Sequence, residues 1–275
     1  MADKRPIGVF DSGMGGLTVL RALMERLPSE RFIYLGDTAR LPYGTKSAET
    51  VEAYALQATR LLIEASVKMV VVACNTASSV ALASLTRQLA PVPVIGVIEP
   101  GARAGIAATR NKRIAVIATE STVKGGAYLR AIHAIDASVE VVQQPAQVFV
   151  ALAEEGWTES AVTIAASRAY LAPLFEGPSA PDTLVLGCTH FPVLVKAILE
   201  AVGDKVTIVD SAATTAASVA DALAAKGLAN EGKDKGAARF LATDSPERFA
   251  RVGEIFLGRK IDKADVELVD LRPKP

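Results

Sequence analysis

The chain has 275 residues and a mass of 28.8 kDa, and 50% of its residues are hydrophobic and 22% charged. This length fits one large domain or two modest ones, and this apolar fraction excludes an intrinsically disordered chain. Lys and Arg total 30, as do Asp and Glu, and a pI near 6.8 gives no basic excess for a nucleic-acid partner.

The cysteine count limits the chemistry that the chain can support. Its two cysteines, Cys74 and Cys188, are too few for a disulfide-rich secreted scaffold. With only two histidines beside them, a four-cysteine zinc site is excluded and no metal is expected. The opening MADKRP lacks the apolar segment of a secretory signal, and no apolar run reaches the roughly 18 residues of a membrane span. We therefore predict a cytoplasmic protein with free thiols and no membrane contact.

Short apolar runs alternate with longer amphipathic stretches along the chain. The predicted strands are Ile7–Phe10, Phe32–Leu35, Met69–Ala73, Pro93–Val97, Arg113–Ala118, Val139–Val142, Thr183–Leu186, Val206–Val209 and Phe240–Thr243. The predicted helices are Gly16–Arg26, Ala48–Ala65, Ala77–Gln88, Thr122–Ile135, Glu159–Leu174, Val193–Ala201 and Thr214–Ala225, with one more after the last strand. Most strands are apolar throughout, which is typical of parallel strands covered on both faces. The predicted fold class is α/β, doubly wound.

Two distant segments of the chain resemble each other. Residues 69–76 read MVVVACNT and residues 183–190 read TLVLGCTH, each an apolar strand that ends in a small residue and a cysteine. A weaker similarity links IGVFDSG at 7–13 with IAVIATES at 114–121. This repetition favours two similar α/β halves joined near residues 99–101, although strand ends of any α/β protein look somewhat alike.

Polar side chains follow the predicted strands at the rim where open α/β sheets bind ligands. They are Asp11, Ser12, Asp37, Pro42, Tyr43, Gly44, Cys74, Asn75, Thr76, residues 119–122, Cys188, Thr189, His190, Asp210 and Ser211. The set suits a small zwitterionic or anionic ligand. The glycines at 13 and 15 match only part of a GxGxxG nucleotide pattern, so a tight turn or a carboxylate cradle is favoured.

The two cysteines suggest a specific reaction. A single cysteine is often only a small buried apolar residue, but two at equivalent strand ends favour function. Each precedes hydrogen-bonding residues and a predicted helix start, which lowers a thiol pKa. We expect Asp11 to exchange protons with Cys74, and His190 with Cys188. Racemisation requires such a pair: one thiolate removes an α-proton and the opposite thiol supplies another. Strand-end N–H and hydroxyl groups would stabilise charge on the adjacent carboxylate.

Five motifs spread from residue 7 to about residue 210 resemble those of bacterial glutamate racemases: DSGMGGLTVL, GDTARLPYG, ACNTAS, VIEPG and GCTHFPVL. The resemblance implies two α/β domains with parallel-sheet cores, related by a pseudo-twofold axis, with the active site in the cleft between them. We assign residues 1–98 and 209–275 to the first domain and residues 99–208 to the second. It also implies a homodimer that interconverts L- and D-glutamate without any cofactor and supplies D-glutamate for peptidoglycan.

The same resemblance implies roles for individual residues. Cys74 would be the base toward D-glutamate, assisted by Asp11, and Cys188 the base toward L-glutamate, assisted by His190. The implied substrate contacts are Asp11, Ser12, Tyr43, Gly44, Asn75, Thr76, Thr189 and His190, with Asp37 and Pro42 as supporting residues. A further catalytic acid falls in FVALAEEG, at Glu154 or, because two glutamates are adjacent, at Glu155. Two departures from the family pattern are Ala151 for a common Pro and Phe191 for a common Tyr.

Other functions stay open on the residues alone. The same chemistry could act on aspartate, hydantoin or a related acid. A hydrolase or transferase could use Cys188 as nucleophile and His190 as base, which leaves Cys74 unexplained. A binder without catalysis could use the glycine turn. A thiol–disulfide redox role is weakly supported, because the cysteines lack CxxC spacing.

Overall fold

The computed structural model describes residues 3–232 and 234–271. The strands are β1 Ile7–Asp11, β2 Phe32–Gly36, β3 Met69–Val72, β4 Val94–Gly96, β5 Arg113–Ala118, β6 Glu140–Pro145, β7 Thr183–Gly187, β8 Thr207–Asp210, β9 Ala238–Ala242 and β10 Val266–Leu268. The α-helices are α1 Leu17–Arg26, α2 Ala48–Glu64, α3 Asn75–Val80, α4 Leu82–Gln88, α5 Ile98–Ala108, α6 Glu120–Gly125, α7 Ala127–Ile135, α8 Val148–Glu154, α9 Ala161–Leu171, α10 Val195–Val202, α11 Ser211–Ala225 and α12 Pro246–Leu257. Short 3-10 helices lie at Thr38–Arg40, Tyr43–Thr45, Ala172–Leu174, Phe191–Leu194 and Lys263–Asp265.

These strands form two sheets whose pairings are all parallel. The first has the order β10-β9-β2-β1-β3-β4, and the second has the order β6-β5-β7-β8. Every residue of β1, β2, β3 and β7 is buried, as their unbroken apolar sequences indicate. The predicted α/β class with two parallel-sheet domains is confirmed.

The two sheets repeat one strand order. In the first, β1 lies between β2 and β3, and β4 follows β3; in the second, β5 lies between β6 and β7, and β8 follows β7. Cys74 follows β3 and Cys188 follows β7, so the two cysteines occupy equivalent places in the two sheets. The similarity of the two cysteine segments therefore corresponds to a repeated topology.

The division of the chain between the sheets differs slightly from the expected one. Strand β8 continues to Asp210, and its last two residues pair with Val185 and Leu186 of β7. The expected boundary after residue 208 thus falls inside a strand of the second sheet. Asp210 ends that strand and begins the next helix, because its side chain accepts the N–H of Ala212 at 2.9 Å.

Several predicted helices differ from the observed ones for local reasons. The helix predicted over residues 122–135 is broken at Gly126, whose φ of +61° favours glycine. The helix predicted over residues 77–88 is two short helices that meet at Ala81. Helix α5 was missed because Pro100 suggested a linker, yet proline is tolerated in a first helical turn, where its missing N–H needs no partner. Helix α8 and strand β10 were also missed.

One large apolar cluster joins the two sheet regions, and each region also has a separate cluster of its own. The buried members of the shared cluster include Leu17 and Leu20 beside the first sheet and Leu184 and Leu186 in the second. Helix α11 contacts both α1 and α5, so it lies between the two regions. Within the described residues, no helix combines the length and the apolar character needed to cross a membrane.

Candidate active site

A small cavity of about 30 Å³ lies where the carboxyl ends of the two sheets meet. Its lining residues are Ser12, Pro42, Tyr43, Gly44, Cys74, Asn75, Thr76, Thr119, Gln147, Val150, Cys188, Thr189 and His190. Ten of these were predicted as site residues. Three other predicted residues, Asp11, Asp37 and Glu154, lie outside the lining. Asp37 and Glu154 accept hydrogen bonds from lining side chains, and the charge of Asp11 acts on Cys74.

Cys74 joins a buried strand to a helix. It is only 5% exposed and forms the N-cap of α3, where its Sγ accepts the N–H of Ala77 at 3.4 Å. The Cys74 thiol also donates to Ser12 Oγ at 3.4 Å. The tight turn after β3 thereby fixes the sulfur at the cavity wall.

The electrostatic surroundings of Cys74 differ from the expectation for a helix start. Burial, and then the nearby charge of Asp11, raise the pKa of the Cys74 thiol from 9.0 to about 12, against the contacts with Ser12 and Ala77. The expected lowering of this thiol pKa is therefore wrong. This raised pKa keeps Cys74 a neutral thiol at neutral pH.

Asp11 lies beneath the first turn. Its side chain is fully buried, and its Oδ2 accepts the N–H of Gly13 at 2.9 Å. Burial raises the pKa of Asp11, while the charge of His190 acts in the opposite direction. Asp11 is not among the cavity-lining residues, so its influence on Cys74 in this structure is through its charge.

Cys188 has a different set of neighbours. Its Sγ lies 3.8 Å from His190 Nδ1, and His190 Nε2 donates to Glu154 Oε1 at 3.1 Å. Burial alone would lower the pKa of His190, but the contacts with Cys188 and Glu154 outweigh it and raise the pKa to about 10. At neutral pH the imidazole is protonated on both nitrogens, with one N–H toward the sulfur and one toward the carboxylate.

Glu154, rather than its neighbour, serves this histidine. Glu154 ends α8 with its side chain 11% exposed, and its second oxygen accepts Arg248 Nη2 at 2.8 Å. Burial opposes ionisation of Glu154, but His190 and Arg248 lower its pKa overall. Glu155 is exposed at the end of the same helix. The two adjacent glutamates therefore have distinct surroundings.

Asp37 holds the Tyr43 side of the cavity. Tyr43 donates its hydroxyl to Asp37 Oδ2, and Arg40 Nε donates to the same oxygen at 2.7 Å. Thr243 donates to the other oxygen at 2.9 Å, so this fully buried carboxylate is surrounded by donors. Burial raises the pKa of Tyr43, and the charge of Asp37 raises it further. Tyr43 is thus a fixed neutral donor, and Pro42 lines the cavity beside it.

Hydroxyl and amide groups fill the wall between the two cysteines. The hydroxyls of Thr76, Thr119 and Thr122 lie 2.9–3.2 Å from one another and join α3 to the turn after β5. Tyr128 donates to Asn75 Oδ1 at 2.7 Å, while the buried Asn75 Nδ2 finds no acceptor among the described residues. A free N–H donor and a set of hydroxyls can bind a carboxylate placed between the thiols.

Glycines let the two sheet ends approach closely. A Cβ on Gly15 would lie 2.4 Å from His190 Nδ1 and 2.6 Å from Thr189 Oγ1. A Cβ on Gly44 would lie 2.6 Å from the Thr119 Cβ. Thr18 also donates to the Thr189 carbonyl at 3.2 Å. The glycine turn after β1 therefore serves as a docking surface for the Cys188 turn, rather than as a nucleotide loop.

Sequence reasoning missed several residues of this site. Thr119 stood in the strand-end set but received no role. Gln147 and Val150 were overlooked because β6 was expected to end at residue 142, whereas it continues to Pro145. A correct strand end would have brought Gln147 to the rim. No local signal points to Arg248, which comes from a distant helix.

Comparisons with known proteins identify the family of the chain. A family model described as Asp/Glu/Hydantoin racemase matches residues 7–219. A curated glutamate racemase of Geobacter metallireducens is 49% identical over 267 residues, which cover 97% of each chain. A crystal structure of a Bacillus anthracis glutamate racemase isoform gives a TM-score of 0.91 at 37% identity and covers 98% of each chain. A Francisella tularensis glutamate racemase, solved in complex with D-glutamate, gives 0.89 at 36% identity, with the same coverage. The chain belongs to the Asp/Glu/Hydantoin racemase family.

Proposed function

We propose that this protein racemises glutamate with two cysteines and no cofactor. The observation that carries the proposal is that Cys74 and Cys188 follow equivalent strands of two sheets and line one cavity. Glutamate is favoured over aspartate or hydantoin because the relatives that cover nearly the whole chain are glutamate racemases, and one of them binds D-glutamate.

The proposed reaction moves one proton onto the substrate and one off it. With L-glutamate, the Cys188 thiolate takes the α-proton, and the C–H electrons pass into the adjacent carboxylate. The Cys74 thiol then gives its proton to the opposite face of the α-carbon, which yields D-glutamate and a Cys74 thiolate. With D-glutamate the two sulfurs exchange roles. The neutral Cys74 thiol and the protonated His190 beside Cys188 fit the state that accepts L-glutamate.

Seven further lining residues are assigned to the substrate. Asn75 Nδ2 and the hydroxyls of Thr76 and Thr119 are donors close to both thiols, so they suit the carboxylate on which charge develops. Ser12, Tyr43 and Gly44 lie on the wall of the first sheet and Thr189 on that of the second. We assign these four to the substrate as well, with Asp11 acting on Cys74 and Glu154 on His190.

The cavity is narrow in this structure, with a volume of about 30 Å³. We propose that the two sheet regions, residues 1–98 with the chain after Asp210 and residues 99–210, separate to admit substrate and close to exclude water. Small-angle X-ray scattering profiles that do not change when glutamate is added would contradict this.

The deciding experiment follows hydrogen exchange at the α-carbon. The purified protein is incubated with L-glutamate in D₂O without added cofactor, and optical rotation and α-deuterium are measured. We expect racemisation by the unaltered protein and a loss of about 10²–10⁴-fold in both Cys74→Ser and Cys188→Ser. A Cys–His hydrolase would need only Cys188. Full racemisation by either serine variant, or inactivity of the unaltered protein with both glutamate and aspartate, would reject the proposal.

The cellular setting follows from the chemistry. We propose a reducing cytoplasm, because both thiols are free and the mechanism needs them reduced. D-Glutamate made there would serve peptidoglycan synthesis. The homodimer stays a prediction, and sedimentation equilibrium of the purified protein would test it.

A further inference from the structure

We infer that Arg248 is a positioning residue for proton transfer at Cys188, acting from the opposite domain through Glu154 and His190. The inference rests on the two-thiol mechanism proposed above. It assigns to the reaction a residue that lies outside the cavity lining and touches no reacting atom.

The contacts form one continuous series. Arg248 Nη2 donates to Glu154 Oε2 at 2.8 Å, and Glu154 Oε1 accepts His190 Nε2 at 3.1 Å. His190 Nδ1 then faces Cys188 Sγ at 3.8 Å. Because each oxygen of the carboxylate has its own partner, Arg248 fixes the rotation of the Glu154 carboxylate. That rotation sets the direction in which His190 is held.

The series crosses from one domain to the other. Arg248 lies on α12, which connects β9 to β10 of the first sheet and packs against α1 and β10. Glu154 and His190 follow β6 and β7 of the second sheet. Phe256, on the same α12, also packs edge-on against the His190 ring, with centroids 5.0 Å apart at 72°. One helix of the first domain thus contacts both the histidine and its carboxylate.

The charges around Glu154 explain why this contact matters. His190 and Arg248 are its two cationic neighbours, and the charge of Glu154 in turn raises the pKa of the buried Asp11. Burial opposes ionisation of Glu154. Without Arg248, His190 alone must offset burial, so Glu154 protonates at a higher pH and is free to rotate. His190 then loses the acceptor that aims it at Cys188.

The consequence for kinetics has a distinctive form. Two enantiomers have equal free energy, so any variant lowers kcat/KM equally in both directions. An effect confined to Cys188 must therefore be read from isotope effects. If proton removal by Cys188 becomes slower, the α-deuterium effect on kcat/KM increases for L-glutamate. For D-glutamate it decreases, because the labelled proton is removed by Cys74 and that step becomes less limiting.

The test compares Arg248→Gln, Arg248→Lys and a matched control, Arg251→Gln, whose arginine is exposed on the same helix. Circular dichroism and thermal unfolding establish that each variant folds. We expect Arg248→Gln to lose about tenfold in kcat/KM, less than a direct acid–base group contributes, and Arg248→Lys to recover part of the loss. The acidic limb of the pH profile should move to higher pH in Arg248→Gln, and the isotope effects should change in the opposite directions given above.

The outcomes separate two questions. Arg248→Gln values that equal those of Arg251→Gln, or a loss with unchanged isotope effects and pH profile, would overturn the inference. Cys188→Ser is assayed in parallel. If it racemises like the unaltered protein, the two-thiol mechanism fails and the role of Arg248 fails with it; if it is inactive, only the Arg248 results decide.

Discussion

The surroundings of the two cysteines differ although their positions in the fold are equivalent. Cys74 sits next to the buried carboxylate Asp11, and its thiol pKa is about 12. Cys188 sits next to His190, which Glu154 and Cys188 keep protonated with a pKa near 10. Cys74 follows β3 and Cys188 follows β7, so the repeated topology places the two sulfurs at equivalent positions. The side chains next to the two sulfurs carry different charges.

This difference fits the proposed reaction better than two identical sites would. A two-base racemase needs one sulfur protonated and the other deprotonated at the moment substrate binds. Two identical surroundings would not distinguish the two sulfurs, whereas here an anion lies beside Cys74 and a cation beside Cys188. In the proposed conversion of L-glutamate, the proton deficit ends on Cys74 beside Asp11, which is the less favourable place. In that scheme Cys74 regains a proton and Cys188 loses one before the free protein binds L-glutamate again.

The largest expected effect is on the acidity of Cys74. In Cys188→Ser, thiolate absorbance in the ultraviolet reports Cys74 alone. A pKa of about 12 in place of 9.0 means that the thiol holds its proton about a thousandfold more tightly than an ordinary cysteine. We expect no thiolate at neutral pH in the folded variant and a normal titration after unfolding in guanidinium. Replacing Asp11 by Asn should lower the pKa, and a thiolate step near pH 7 in folded Cys188→Ser would contradict the assignment.

The next effect concerns the contact between the two halves. Gly15→Ala places a methyl group 2.4 Å from His190 Nδ1, so the Cys188 turn must move away. We expect a loss of about a hundredfold in kcat, since a misplacement near 1 Å is sufficient for this. Gly13→Ala is the matched control, because its methyl would meet Leu41 at an ordinary 3.5 Å. Equal activities of the two alanine variants would show that the contact at Gly15 does not position His190.

How much of this site can be predicted from the sequence depends on how far apart in the chain the interacting residues lie. Strand-end positions of Cys74, Asn75 and Thr76 follow from an apolar run and the parallel-sheet rule, and the strand-end set contains eleven of the lining residues. Local sequence could not give the acidity of Cys74. Its pKa depends on burial and on Asp11, sixty-three residues earlier in the chain.

The errors in the fold have equally specific causes. A Pro-Gly pair at residues 100–101 looked like a linker but lies within α5, because the proline is in the first turn. The end of β6 was placed too early because Gln143 and Gln144 interrupt its apolar pattern at an edge strand that is partly exposed. Arg248 reaches Glu154 only because α12 docks against the second domain. That contact depends on tertiary packing and leaves no trace in local sequence.

A smaller effect separates the adjacent glutamates. Glu154→Gln removes the anionic partner of His190, so we expect up to about a hundredfold loss of kcat, since Glu154 acts only through the histidine. Glu155→Gln, its exposed neighbour, should match the unaltered protein. Cys188, and then Glu154, raise the folded pKa of His190 from 6.5 to about 10, so the stability from the protonated histidine is complete below pH 6.5, as long as Glu154 stays ionised, and is lost as pH rises toward 10. The urea midpoint should therefore fall more over this range in the unaltered protein than in Glu154→Gln, and equal slopes would contradict the ion pair.

The smallest expected effect concerns Gln147, in the segment that follows β6. Strand β6 occupies the place in the second sheet that β2 occupies in the first. Gln147 follows β6 as Gly44 follows β2, and the two face each other across the cavity: a Cβ on Gly44 would lie 2.9 Å from Gln147 Oε1. That buried oxygen has no hydrogen-bond partner among the described residues, so it is free to accept from the substrate. Gln147→Leu should raise KM a few fold yet stabilise the free protein by about 1 kcal/mol, because it removes an unsatisfied polar atom. Gln144→Leu, near the end of β6 and outside the lining, is the control. A higher KM with lower stability would instead show that Gln147 supports the fold, since only a group reserved for substrate moves the two quantities in opposite directions.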